Sequence, residues 1–289
     1  MRGLAKDLIM LIFQYPFVIN ALILCFILTG IHTYLGYHVV KREVIFVDLA
    51  LAQVAALGAC FGIMLGIGRD HPAGNYLISL FFTLMGAFLF ALFRSRKKLI
   101  PIEALIGITY AGAIALSFIV LEKSATGTEE IKEMLAGSIL TVSYGELIFV
   151  GVLYSLIGLI HWFFRSKFFA VTENPEFAES QKMKIWFWDF VFYGTFGFVV
   201  TSSVKVAGVL LVFAFLIIPA VSATVIMSNT VKKIIFGWLF GLIGCIAGLE
   251  LSLRLDWSPS PTIIVVFIAM LITIVLLKRV KRSFSKNNE

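Results

Sequence analysis

Charge is scarce in this chain. Asp, Glu, Lys and Arg make up 14% of its 289 residues, against 60% hydrophobic, and mean hydropathy is +0.98. Soluble domains carry about a quarter charged residues, so a water-bathed globular fold is excluded. Cysteine is also sparse: Cys25, Cys60 and Cys245 fall in apolar runs with no paired spacing. That excludes a disulfide framework, a redox pair or a zinc ribbon, and reads the three as small buried hydrophobes. There is no G-x-x-x-x-G-K-[ST] loop, no G-x-S-x-G elbow and no H-E-x-x-H helix. Any ATP used on its behalf is therefore bound by another chain.

What the sequence does have is long apolar runs. At about 20 residues per crossing, spans are expected at 17–40, 44–67, 76–93, 101–121, 145–164, 185–204, 206–227, 233–255 and 261–277. The fold class is all-α: a polytopic membrane bundle of about nine helices, forming a single transmembrane domain over 1–289. Only Lys205 separates the sixth and seventh spans. Residues 1–16, with Arg2, Lys6 and Asp7 among Leu, Ile and Phe, read as an interfacial amphipathic segment, because no small-residue cleavage site follows.

Basic residues flanking spans are retained on the cytoplasmic side. Of the 24, seventeen group at alternate span ends: Lys41, Arg42, Arg94, Arg96, Lys97, Lys98, Arg165, Lys167, Lys182, Lys184, Lys232, Lys233 and a tail, 278–289, with Lys278, Arg279, Lys281, Arg282 and Lys286. This places the C-terminus in the cytoplasm and, with nine spans, the N-terminus outside. The topology accounts for the net charge of +7, and nothing in it calls for nucleic acid.

Two spans carry small-residue stripes: Asp48, Ala52, Ala55, Ala59, Gly62 and Gly66 in the second, and Gly237, Gly241, Gly244 and Gly248 in the eighth. Such faces let backbones approach closely, so they are expected helix contacts. Asp48 heads the first stripe and points inward. Gln53 lies about 140° round the same helix, at about 100° per residue.

Ionisable residues inside a membrane are functional suspects. Asp48, Glu103, Asp189, Glu250, His32 and His38 are the candidates here, and together they suggest a cation path. Several have a plain alternative. Glu103 follows Pro101 in a first helical turn, where an acid suits the helix dipole, and Asp48 can pair with Arg42 or Lys41. Asp189 and His38 lie near enough to a membrane face to be partly wet, His161 reads as interfacial, and His71 as a solvated loop residue. Pro219 sits deep in the run 206–227, where it removes a backbone hydrogen bond. This marks either a path or a packing kink.

The loop 165–184, RSKFFAVTENPEFAESQKMK, mixes aromatic, acidic and basic residues. Asn174 can cap, Pro175 suits the first helical position and Glu176 complements the positive helix end, predicting a short helix there. It reads as a docking element or as an amphipathic loop on the membrane.

The order of these segments resembles the metal-type ATP-binding-cassette uptake permeases, which serve zinc, manganese and iron chelates. VAGVLLVFAFLIIPAVSA at 206–223 is similar to the family's G-x-L-L-V-x-A-x-L-I-x-P-A-x-x-A stretch at Gly208, Leu210, Leu211, Val212, Ala214, Leu216, Ile217, Pro219, Ala220 and Ala223. FFAVTENPEFAES resembles its D-P-E-x-A inner loop at Pro175, Glu176 and Ala178, with Asn174 where aspartate is usual. EALIGITYAGAIAL at 103–116, LAGSIL at 135–140, and Ser252 with Asp256 resemble further family elements. Where the family commonly has G-D-A-L-S-H-A-x-L-x-G, this chain has VDLALAQVAALG. Gln53 stands in place of the histidine, and Asp48 sits one position before the expected acid. An amide is a weaker zinc ligand than imidazole.

The resemblance implies a permease subunit, not itself an enzyme and binding no cofactor, in the plasma membrane. It implies a homodimer with a path near its two-fold axis, cytoplasmic ATP-binding subunits and an extracytoplasmic substrate-binding protein. The cargo would be zinc or manganese, alternatively a chelate or other small molecule. Asp48, Gln53, Glu103, Pro219 and Glu250 are the path candidates, with Asp48 and His32 as metal contacts. Asn174, Pro175, Glu176, Phe177 and Ala178 would contact the ATPase. An ion-coupled secondary transporter, the competing class, predicts inverted repeats with paired broken helices. The sequence has one clear interior proline and no convincing repeat.

Overall fold

The structure is a computed structural model that describes residues 16–67, 71–95, 101–122, 137 and 139–286. The segment expected at the interface, 1–16, lies outside them except for Pro16. All regular structure among the described residues is helical: α1 (Pro16–Lys41), α2 (Val47–Met64), α3 (Pro72–Ser95), α4 (Ile102–Leu121), a 3-10 turn (Ile139–Thr141), α5 (Tyr144–Phe163), α6 (Arg165–Glu173), α7 (Pro175–Ser180), α8 (Ile185–Ala207), α9 (Val209–Ile226), α10 (Thr230–Leu255) and α11 (Pro259–Lys286). Nine of these, all but α6, α7 and the 3-10 turn, are long and apolar enough to cross a membrane, as the run lengths predict.

Helix ends explain where the boundaries differ. α2 stops at Met64 because Gly66, at φ 75°, closes it: Gly66 N–H donates to the Ile63 carbonyl and Ile67 N–H to that of Gly62. This two-bond left-handed cap favours glycine. Gly66 is thus a terminator with open space around it, not a member of the packing stripe. Glu43 closes α1 in the same way at φ 59°, with bonds to Val40 and Val39, and Asp256 closes α10 at φ 55°. Between the sixth and seventh spans the break is Gly208 at φ 79°, and Lys205 lies inside the last turn of α8. A polar side chain can stay helical, whereas positive φ ends the helix. The basic stretch expected as a tail instead continues α11 as far as Lys286.

The chain forms two compact units. The first comprises residues 1–37, 138–149 and 210–289, and the second 38–137 and 150–209. In the first, the glycine stripe of α10 is a contact face, as its spacing predicts. A Cβ on Gly237 or Gly241 would press on Thr33 or Thr29 of α1, and one on Gly248 on Ile263 of α11. Gly36 of α1 lies against the Leu216 carbonyl of α9. All three cysteines are free and buried. Cys245 and Cys25 are nonetheless neighbours, brought together across two helices.

In the second unit α2 packs against α3, α4 and α8. Val54 and Leu57 meet Ala113, Phe61 and Phe82 in an apolar core. Gly58 of α2 lies against the Ser79 and Ile78 backbone of α3, so this stripe works as a contact face through its helical part. Gly137 sits on the α8–α9 break: at φ 57°, any Cβ would overlap the Ala207 carbonyl and the Gly208 nitrogen.

Candidate functional site

The candidate path residues fall in both units. In the second, Asp48 is in the first turn of α2 and is buried. Its Oδ1 accepts from the Leu49 N–H at 2.7 Å, while Oδ2 is buried without a hydrogen-bond partner among the described residues. Asp48 is in no ion pair among the described residues. The pairing with Arg42 that the sequence allowed does not form, because Arg42 is taken by Asp189. An unsatisfied carboxylate oxygen of this kind is costly to bury, and it is able to accept a proton or a cation. Gln53, also buried, lies round the same helix. Glu103 sits in the first turn of α4, exposed on this unit.

In the first unit His32 is fully buried, with Nδ1 2.8 Å from the Leu28 carbonyl. A carbonyl can only accept, so Nδ1 donates here. Pro219 is buried within α9, its carbonyl facing Gly237 of α10. Glu250 is held by Arg254 one turn on, at 2.6 Å. Among the described residues, no group of three or more His, Cys, Asp or Glu side chains is placed to hold a metal ion.

The predicted short helix is present as α7. Asn174 Oδ1 accepts from the Phe177 N–H at 3.0 Å, Pro175 occupies the first turn and Glu176 follows. Its far end is closed by Lys182 at φ 56°, with Met183 N–H donating to the Ala178 carbonyl. Ala178 is buried, whereas Glu176 and Phe177 are exposed, Phe177 at 55%. The residue types at this end and the capping distances follow from local sequence. The preceding helix, α6, was not anticipated.

The sequence reading misjudged the polar residues beside α6. Asp189 and His38, expected to be partly wet, are fully buried. Asp189 Oδ1 accepts from Arg42 Nη1 at 2.8 Å and from Arg94 Nη1 at 2.6 Å. Burial holds the pKa of the Arg42 guanidinium below its usual value, with the Asp189 charge opposing the shift, and a guanidinium stays protonated. Arg42 also lies 4.0 Å over the Phe192 ring. Thr172 Oγ1 accepts from Arg42 Nε at 2.9 Å and meets His38 Nδ1 at 2.8 Å. His161, expected at the interface, is buried and stacked on Phe168 with centroids 4.1 Å apart. Only the buried charge of Asp189 could have signalled this cluster, since its partners lie far off in sequence.

Comparison with known proteins agrees with this architecture. The profile of the ABC 3 transport family matches residues 14–278. The high-affinity zinc uptake system membrane protein ZnuB of Haemophilus influenzae is 24% identical over 266 residues, covering 92% of this chain and 99% of its own. The manganese transport system membrane protein MntC of Listeria monocytogenes is 24% identical over 280 residues, covering 96% of each. Among solved structures, PsaBC from Streptococcus pneumoniae in complex with Fab is similar in fold, with a TM-score of 0.78 at 19% identity, covering 93% of this chain and 95% of that one. With a profile match that runs through all nine membrane helices, this chain belongs to the ABC 3 transport family.

Proposed function

We propose that this chain is the permease subunit of an ATP-binding-cassette importer for a divalent transition metal, zinc or manganese. Separate cytoplasmic subunits hydrolyse the ATP and an extracytoplasmic binding protein delivers the cargo. The permease works as a homodimer in the plasma membrane with its C-terminus in the cytoplasm. The observation that carries this reading is α7: a helix capped at both ends, offering Glu176 and Phe177 to a partner while Ala178 is buried. A bare loop would yield when pushed. A capped helix presents fixed side chains and moves as a body.

The cargo assignment is supported by the relatives named for zinc and manganese and by the chemistry of α2. Asp48 holds a carboxylate oxygen that no group among the described residues satisfies, which attracts a cation. The Gln53 amide binds one weakly enough to release it, as passage requires.

Glu176→Lys in the complete complex tests the reading. ATP hydrolysis should continue while uptake of radiolabelled zinc or manganese is lost and the permease stays folded in the membrane. Normal uptake by that variant would count against α7 as the ATPase contact. If the unaltered complex carries neither metal, a chelated cargo replaces the free ion.

A further inference from the structure

We propose that the buried Arg42, Asp189 and Arg94 cluster, joined to Thr172, is the joint through which displacement of α7 reaches the membrane helices α1, α3 and α8. The inference rests on the reading of α7 as the ATPase contact. It adds the residues that make the contact mechanically effective.

Stability alone does not account for the cluster. The Arg42 and Asp189 side chains are wholly inaccessible and Arg94 is 17% exposed. Desolvating such charges is costly enough that apolar replacements are often as stable or more so. What the charges supply is geometry. One carboxylate oxygen takes a donor from the end of α1 and another from the end of α3, while its own backbone lies in the second turn of α8. Three helices are held at a single atom.

Thr172 ties α6 to Arg42. Arg42 Nε can only donate, so the Thr172 hydroxyl accepts there, and the same oxygen is hydrogen-bonded to His38 Nδ1 at 2.8 Å. One hydroxyl therefore holds two residues of the α1 end. Beside it Phe168, fully buried, is stacked on His161 of α5 and packed on Trp188 and Phe192 of α8. α6 cannot slide on the helices below it without disturbing both contacts.

The elbow between α6 and α7 is equally constrained. A single residue, Asn174, is non-helical there. Its N–H donates to Ala170 of α6, its carbonyl accepts from Ala178 and its side chain from Phe177 of α7. Both helices hold the same residue, so a push on α7 is delivered to α6 and through Thr172 to Arg42.

Thr172 is thus a positioning residue. Thr172→Val keeps the shape and removes the hydroxyl, while Thr172→Ser restores it. In the complete complex, Thr172→Val should retain bound ATPase and ATP hydrolysis, but zinc or manganese moved per ATP should fall about tenfold, the scale of one lost bond to a charged group. Thr172→Ser should recover the wild-type ratio. Hydrogen exchange of the amides in 166–180 should quicken in Thr172→Val and return in Thr172→Ser. The triple variant Arg42→Met, Arg94→Met, Asp189→Leu, which leaves none of the three bonded charges behind, should fold and be uncoupled as well. An unchanged ratio and unchanged exchange in Thr172→Val would overturn the proposal, as would a Thr172→Ser variant as impaired as the valine. If Glu176→Lys couples normally, the reading of α7 fails and the coupling role falls with it. The exchange result then still reports whether Thr172 ties α6 to α1.

Discussion

Gly36 is the position where the packing makes its sharpest demand on sequence. A Cβ there would lie 3.0 Å from the Leu216 carbonyl carbon, nearer still to its oxygen, and 3.2 Å from the Ala220 Cβ. Those neighbours are backbone of α9, so no side-chain rotation relieves the overlap. α1 must move away, and its contacts with α9 and α10 loosen together. Overpacking of this kind costs about 3 kcal/mol at the upper end of its usual range. Replacing a helical glycine with alanine returns up to about 1 kcal/mol. Gly36→Ala should therefore destabilise by about 2 kcal/mol, roughly a 30-fold change in the folding equilibrium. Gly194 of α8 is the matched control: it is buried too, yet a Cβ there meets nothing within 4 Å. Gly194→Ala should be neutral or stabilising. Denaturant titration of both variants, purified in the same detergent, measures the contrast. If Gly36→Ala is as stable as the parent, or Gly194→Ala loses as much, close α1–α9 packing is refuted as the reason for the glycine.

Three further outcomes are expected. Asn174→Ala removes the bond to the Phe177 N–H; the loss of about 1 kcal/mol should appear as faster hydrogen exchange at 176–178, and unchanged exchange would show that the cap does not hold α7. Pro219→Leu restores an amide donor in the middle of α9 and should reduce metal uptake more than it lowers the thermal unfolding temperature; losses in proportion would assign Pro219 to packing alone. Asp48→Asn should reduce uptake of zinc and manganese while Gln53→His increases zinc retained by the purified permease, and normal transport of both metals by Asp48→Asn would remove α2 from the cation path.

Sequence legibility here followed the range of the interaction. Fold class, the number of apolar helices and the capped helix at 175–180 were readable, because each depends on residues within a few positions of one another: an uninterrupted apolar run, or Asn174 three residues before the amide it caps. The α10 glycine face was readable for the same reason, as a helix repeats its faces every three to four residues. Gly66 shows how that rule fails. Its spacing fits the stripe, but its φ of 75° places it past the helix end, and spacing carries no information about φ.

The sequence by itself determined that this is a membrane chain and roughly where its membrane-spanning helices run, since hydrocarbon accepts only helices long enough to satisfy their own backbone. The tertiary structure alone decided which polar groups meet. Arg42 and Asp189 are 147 residues apart and Arg94 and Asp189 are 95 apart. Asp48 had a basic residue much closer in sequence, yet Arg42 went to Asp189. In a dry interior a charge settles with whichever partner the packing brings within bonding distance and shields from water, and separation along the chain places no limit on which partner that is.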